Sequence, residues 1–156
     1  MKDFETAKMD DLTRIITVAV VLLVLAIPFF PGGDEVDLPV RILILALGTG
    51  VAVFSYLHVP QNFSVSNKSL SFKNALRSHE ILLDDIKSVS KTKNKIQFRV
   101  FGIGGLFGYF GRYNGTEKWF VTNRHKKVKL ETEAGIFVIS PEEPDDFIAY
   151  INRLKN

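Results

Sequence analysis

The chain has 156 residues, no cysteine, a formal net charge of +3 and 46% hydrophobic residues. Lacking cysteine, it can form no disulfide, no thiolate nucleophile and no Cys-based zinc site. The length suits one small domain, alone or with membrane segments.

Met1–Arg14 is polar and mixed in charge, and residues 1–14 read as a cytoplasmic N-terminal segment. Asp3, Glu5, Asp10 and Asp11 stand where a secretory signal would be basic, so the first apolar run is expected to be retained. Ile15–Phe30 and Ile42–Leu57 are uncharged runs of 16 residues each, separated by a turn rich in Pro, Gly and acids. Neither shows a polar stripe at helical spacing, and the rest of the chain is too short to enclose both. Residues 15–57 are therefore expected to form a transmembrane helical hairpin. Leu12 and Thr13 would extend the first helix toward the roughly 20 residues a bilayer needs. Pro39 suits the first turn of the second helix, and Gly48-x-x-x-Ala52 is a small-residue packing signal within it. Pro31–Pro39 contains no Lys or Arg, so the positive-inside rule places both termini in the cytoplasm.

Residues 58–156 are expected to form one domain. Its tether, His58–Gln61, spans at most roughly 14 Å when extended. Residues 1–57 carry four Lys/Arg against seven acids, whereas residues 58–156 carry sixteen against ten, a balance of +6. A basic domain suits an anionic lipid surface.

From Asn62 the apolar period shortens to two. Phe63–Val65 and Leu70–Phe72 predict a hairpin around Asn67-Lys68, and Ile81–Ser90 a strand, a turn at Asp84-Asp85 and a second strand. Lys95–Val100 alternates, with Ile96, Phe98 and Val100 on one face. Asn114-Gly115 marks a tight turn between strands, and Val128–Leu130 turns at Ala134-Gly135 into Ile136–Ile139. Ser140 offers an N-cap with Pro141 at the first helical position, or Pro144 starts the helix slightly later. Phe147, Ile148, Ile151 and Leu154 then recur at helical spacing. The fold class is α+β: a two-helix membrane hairpin, then a small barrel or curved sheet capped by a C-terminal helix.

Arg99–Gly111 (RVFGIGGLFGYFG) interleaves glycines with Leu106, Phe107, Tyr109 and Phe110. It lacks the spacing of a nucleotide-binding loop. Two readings stay open: a bent strand packing its aromatics into a barrel, or an apolar surface meeting lipid or protein. This run, with WFVTNRHKKVKLETEAG and FVISPEEPDDFIAYI, resembles the bacterial PH-like domains of small membrane proteins. The likeness covers roughly residues 60–155 and rests on the spaced glycines, Thr122-Asn123, the Val128–Thr132 strand and Ser140-Pro141. It implies a PH-like β-barrel capped by a C-terminal helix and placement in a bacterial inner membrane, and it carries over no catalytic or ligand residue.

Catalytic signatures are missing. His79-Glu80 begins a zinc-protease motif, but Leu83 stands where its second histidine belongs, and no cofactor is implied. Two basic clusters, Lys87, Lys91, Lys93 and Lys95 and then Arg124, Lys126, Lys127 and Lys129, are candidate headgroup contacts, favoured over nucleic acid by the membrane tether. The leading expectation is a non-enzymatic module contacting a protein partner or its own copies. The alternative is a sensor of anionic lipid headgroups.

Overall fold

A computed structural model describes residues 1–27, 37–92 and 98–155. Strand β1 (Lys2–Glu5) leads into helix α1 (Asp11–Ala26), and helix α2 (Leu38–Tyr56) returns to β2 (Asn62–Val65) and β3 (Ser69–Lys73). Then follow β4 (Ser78–Leu82), β5 (Ile86–Lys91), β6 (Arg99–Gly104), β7 (Tyr109–Tyr113), β8 (Glu117–Val121), β9 (Val128–Thr132), β10 (Gly135–Ile139) and helix α3 (Pro144–Lys155).

The strands form two sheets, ordered β1-β2-β3-β4 and β5-β9-β10-β8-β7-β6. Alternation sets their faces: in β2 and β3 every second residue is buried, placing Phe63, Val65, Leu70 and Phe72 inside. The main core joins these to Ile81, Ile86, Leu130, Ile139 and, from α3, Phe147 and Ile151. A smaller core holds Tyr113, Trp119, Val121 and Val138, with Trp119 stacked on Tyr113 at 4.7 Å. The α+β order and the capping helix thus agree with the sequence reading, while the curved sheet is two sheets.

Three local details are set by the packed chain. Met1–Arg14 is no separate tail: β1 pairs antiparallel with β2, Phe4 opposite Phe63, and Phe4 meets Phe147 edge-on at 5.1 Å. One apolar residue in a polar segment gives no period, so only the core identifies this strand. Second, α3 begins at Pro144, the later of the two starts. Ser140 is fully buried and its Oγ accepts the Thr122 N–H at 2.9 Å instead of capping the helix. Third, Leu12 and Thr13 extend α1 as expected, and Thr13 is buried.

Helix α2, with 19 residues and almost no buried surface, is the one helix among the described residues long and apolar enough to cross a membrane. At 1.5 Å per residue it spans about 28 Å, near the thickness of a hydrocarbon core. Helix α1 has 16 residues, and Pro28–Phe30 lie outside the described residues. The helices pack at Gly48, where a Cβ would stand 2.9 Å from the Val24 side chain; the small-residue signal marks their crossing.

Candidate interaction surface

The glycine-aromatic stretch folds back on the base of the helices. Strands β6 and β7 are joined by a turn at 105–108, closed by the Gly105 N–H donating to Gly108 O at 2.9 Å. Gly108 has a positive φ of +154°, and a Cβ there would lie 2.6 Å from Val121 O, so only glycine fits. The turn rests on α1: the Phe107 N–H donates to Thr17 Oγ1 at 2.9 Å, and that hydroxyl donates to Thr13 O at 2.7 Å. Ile16 lies 3.2 Å from the position a Gly105 Cβ would take. The Phe107 ring meets Tyr56 of α2 edge-on at 5.4 Å. One tight turn therefore seats on both helices.

The four candidate aromatic and apolar residues divide accordingly. Leu106 and Phe110 are buried, and Phe107 and Tyr109 are half-buried. Phe107 is a contact residue, but its partner is the chain's own helix pair. Tyr109 packs beside Tyr113 and under the Arg124 guanidinium, 5.7 Å from its ring.

A second seam clamps the segment before α1. Asp10, 5% exposed, accepts the Thr13 N–H at 3.0 Å as N-cap of α1. The same carboxylate accepts the Arg124 backbone N–H at 2.9 Å and its Nε and Nη2 at 3.1 Å each. Burial alone would raise the Asp10 pKa, but the Arg124 side-chain and backbone bonds, the Thr13 bond and the Arg124 charge outweigh it and hold it well below the usual carboxylate range. Further along, Thr122 Oγ1 donates to Ala7 O at 2.5 Å and Asn123 Nδ2 to Lys8 O at 2.9 Å. Glu142 pairs with Lys126 and accepts the Lys8 N–H. The Thr122-Asn123 pair of the sequence is thus a latch for the N-terminal segment.

This latch absorbs the second basic cluster. Arg124 is held by Asp10, Lys126 by Glu142 and Lys129 by Glu131 at 2.7 Å. Lys127 is buried with its Nζ 4.9 Å above the Trp119 ring, and burial lowers its pKa. In the first cluster Lys87 is exposed and Lys91 pairs with Asp145 at 2.6 Å; Lys93 and Lys95 lie outside the described residues. Among the described candidates, Lys87 alone stands clear of carboxylates and core. Among the described residues no group of His, Asp and Glu is placed to hold a metal ion.

Sequence reasoning overlooked the roles of Asp10 and Thr17 and the exposure of strand β6. Asp10 had a legible signal, an N-cap residue just before an apolar run. Thr17 had none, since its partner Phe107 is 90 residues away. Strand β6 and the residue before it leave Phe98, Val100 and Phe101 exposed by 70, 61 and 78%. A cleft of about 500 Å³ opens between this strand and the end of α2, its walls including Phe54, His58, Arg99, Phe101 and Ile103.

No curated protein and no solved structure matches the chain. The model of the bacterial PH domain matches residues 61–155, from the start of β2 through α3. The match begins after the helices, so β1, which completes the four-stranded sheet, is supplied from outside it. With most of its length covered, two sheets and the capping helix in place, the chain belongs to the bacterial PH domain family.

Proposed function

We propose that this bacterial PH domain protein is a membrane-anchored, non-enzymatic interaction module, its domain held at the cytoplasmic face by a two-helix hairpin. One observation carries the reading: β1, before α1, pairs with β2, after α2. The helix pair leaves and re-enters the same folded body, as an anchor with both ends on one side of a bilayer must. The exposed apolar side chains along both helices, among them Leu22, Leu25, Ile42, Leu47 and Val51, support a lipid setting. The ionisable groups at the seams act as a structural latch, which favours a binding role over catalysis. The outer edge of β4, with Leu82 exposed, is the surface for a protein partner or a second copy; of the two outer strands of the other sheet, β5 contacts α3.

Single cysteines test the anchor without background. Asp34→Cys should react with an impermeant maleimide in intact cells and Asn156→Cys only after lysis; the reverse pattern overturns the topology. A photo-cross-linker at Leu82 should give a discrete protein adduct that survives high salt, and none at all would remove β4 as the contact edge.

A further inference from the structure

We propose that the cleft between the last turn of α2 and strand β6 holds one anionic phospholipid of the membrane that α2 crosses. Its phosphate would sit on Arg99 and its acyl chain along Phe54, Val100 and Phe101. This rests on the membrane-spanning reading of α2.

The argument starts from what the cleft leaves unsatisfied. Among the described residues strand β6 is one of the two outer strands of its sheet, and Phe98, Val100 and Phe101 are mostly exposed. An apolar outer strand is an aggregation hazard unless something covers it. The neighbouring surface is α2, where Phe54 and Tyr56 are also more than half exposed, so one apolar face runs from the helix onto the strand. A bilayer covers both at once. The end of a spanning helix lies at headgroup depth, where aromatic and basic side chains collect.

The charge in the cleft is equally specific. The Arg99 guanidinium extends across Gly104, near the Tyr113 hydroxyl, and among the described residues no hydrogen bond or ion pair neutralises it. Arg124, Lys126 and Lys129, by contrast, each have a carboxylate partner. Arg99 is exposed, and a guanidinium set beside apolar side chains at headgroup depth suits a planar, bidentate anion such as phosphate. The Tyr113 hydroxyl cannot serve: it donates to Ile103 O at 2.6 Å, and burial pushes its pKa up to about 12. Just past the end of α2, Asn74 Nδ2 donates to His58 O at 3.4 Å. That contact places the turn carrying exposed Leu76 and Arg77 at the same level, a second apolar residue beside arginine. Strand addition by a protein would bury Phe98 and Phe101 but leave Arg99 uncompensated, so lipid is the better fit.

The experiment uses the full chain in nanodiscs of phosphatidylcholine doped with phosphatidylglycerol bearing a diazirine on its acyl chain. Adducts are mapped by peptide mass spectrometry. Wild type should be labelled at Val100, Phe101 or Phe54, and more strongly than when the same probe carries a choline headgroup. Arg99→Gln should cut the β6 labelling by about fivefold, the effect of one basic side chain at a membrane surface. Arg99→Lys should retain most of it, and unchanged thermal melts of both variants show that the fold is intact. Inorganic phosphate at 10-fold excess over the probe should not reduce labelling; if it does, the site takes a free anion and the lipid proposal falls. Equal labelling by both headgroups, or a protein adduct at Val100 in place of lipid, also overturns it. If Leu47 on α2 is labelled and β6 is not, only the cleft proposal fails. If neither is labelled, the membrane reading fails with it.

Discussion

Replacing Asp10 by alanine removes four hydrogen bonds from one nearly buried carboxylate: those from Thr13 N, Arg124 N, Arg124 Nε and Arg124 Nη2. The loss acts at two levels. Helix α1 loses its N-cap, worth about 1 kcal/mol, and Arg124, whose side chain is only 25% exposed, loses its counter-charge. Removing one partner of a buried pair typically costs about 3–5 kcal/mol, because the remaining charge is left desolvated. With domain stabilities of about 5–15 kcal/mol, Asp10→Ala should remove a third or more of the total. Asp10→Asn retains a good N-cap acceptor but loses the charge-assisted bonds, and should cost about 1.5–3 kcal/mol. The assay is reversible urea unfolding in detergent micelles, read by the one tryptophan, Trp119, buried against Tyr113. Acid provides an independent check. The folded pKa of Asp10 is depressed, so its stabilisation is fully present above the unfolded value of about 3.9. It is lost only as pH falls through the lower folded value. Between pH 5 and 8 this pair should contribute no slope, and below about pH 4 wild type should lose stability more steeply than Asp10→Ala. An Asp10→Ala change under 1 kcal/mol, or strict additivity with Arg124→Ala, would refute the account, since residues in one network should couple by about 0.5–3 kcal/mol.

Thr17→Val leaves the Phe107 N–H without its acceptor and should cost about 1–3 kcal/mol, with faster hydrogen exchange at that amide and little change in the strands of the main core. Gly108→Val should prevent folding, because its Cβ would meet Val121 O and Phe110 Cζ at about 2.6 and 2.5 Å. Gly50→Ala, with open space around the Cβ, should leave the melting temperature within error. Phe110→Ala, at a side chain only 2% exposed, should cost about 3–5 kcal/mol; Tyr109→Ser, at a half-buried ring, should cost clearly less in the same unfolding assay. Equal losses at the two positions would show that Tyr109 belongs to the core.

The local elements were legible because their signals are local. The period-two runs at Phe63–Val65, Leu70–Phe72 and Val128–Leu130 became β2, β3 and β9, and the Asn114-Gly115 turn joins β7 to β8. Phe147, Ile148, Ile151 and Leu154 form the inner face of α3. The two uncharged runs became α1 and α2, because a helix without a polar stripe is visible in any window of sequence. What the sequence by itself did not decide is which surfaces meet. Phe4 gains its strand only because Phe63 and Phe147 stand beside it, and no window around Phe4 contains either. Arg124, Lys126 and Lys129 look like a basic patch in one dimension; in three, the nearest charges are Asp10, Glu142 and Glu131, two of them remote in sequence. The same holds for Phe107, apolar and glycine-flanked, whose partners Thr17 and Tyr56 lie on separate helices. Periodicity records what each residue does to its own backbone and face. Ion pairing and docking depend on distances between segments, which only the packed chain sets, and that is why the tertiary structure turned a lipid-facing basic cluster into a latch.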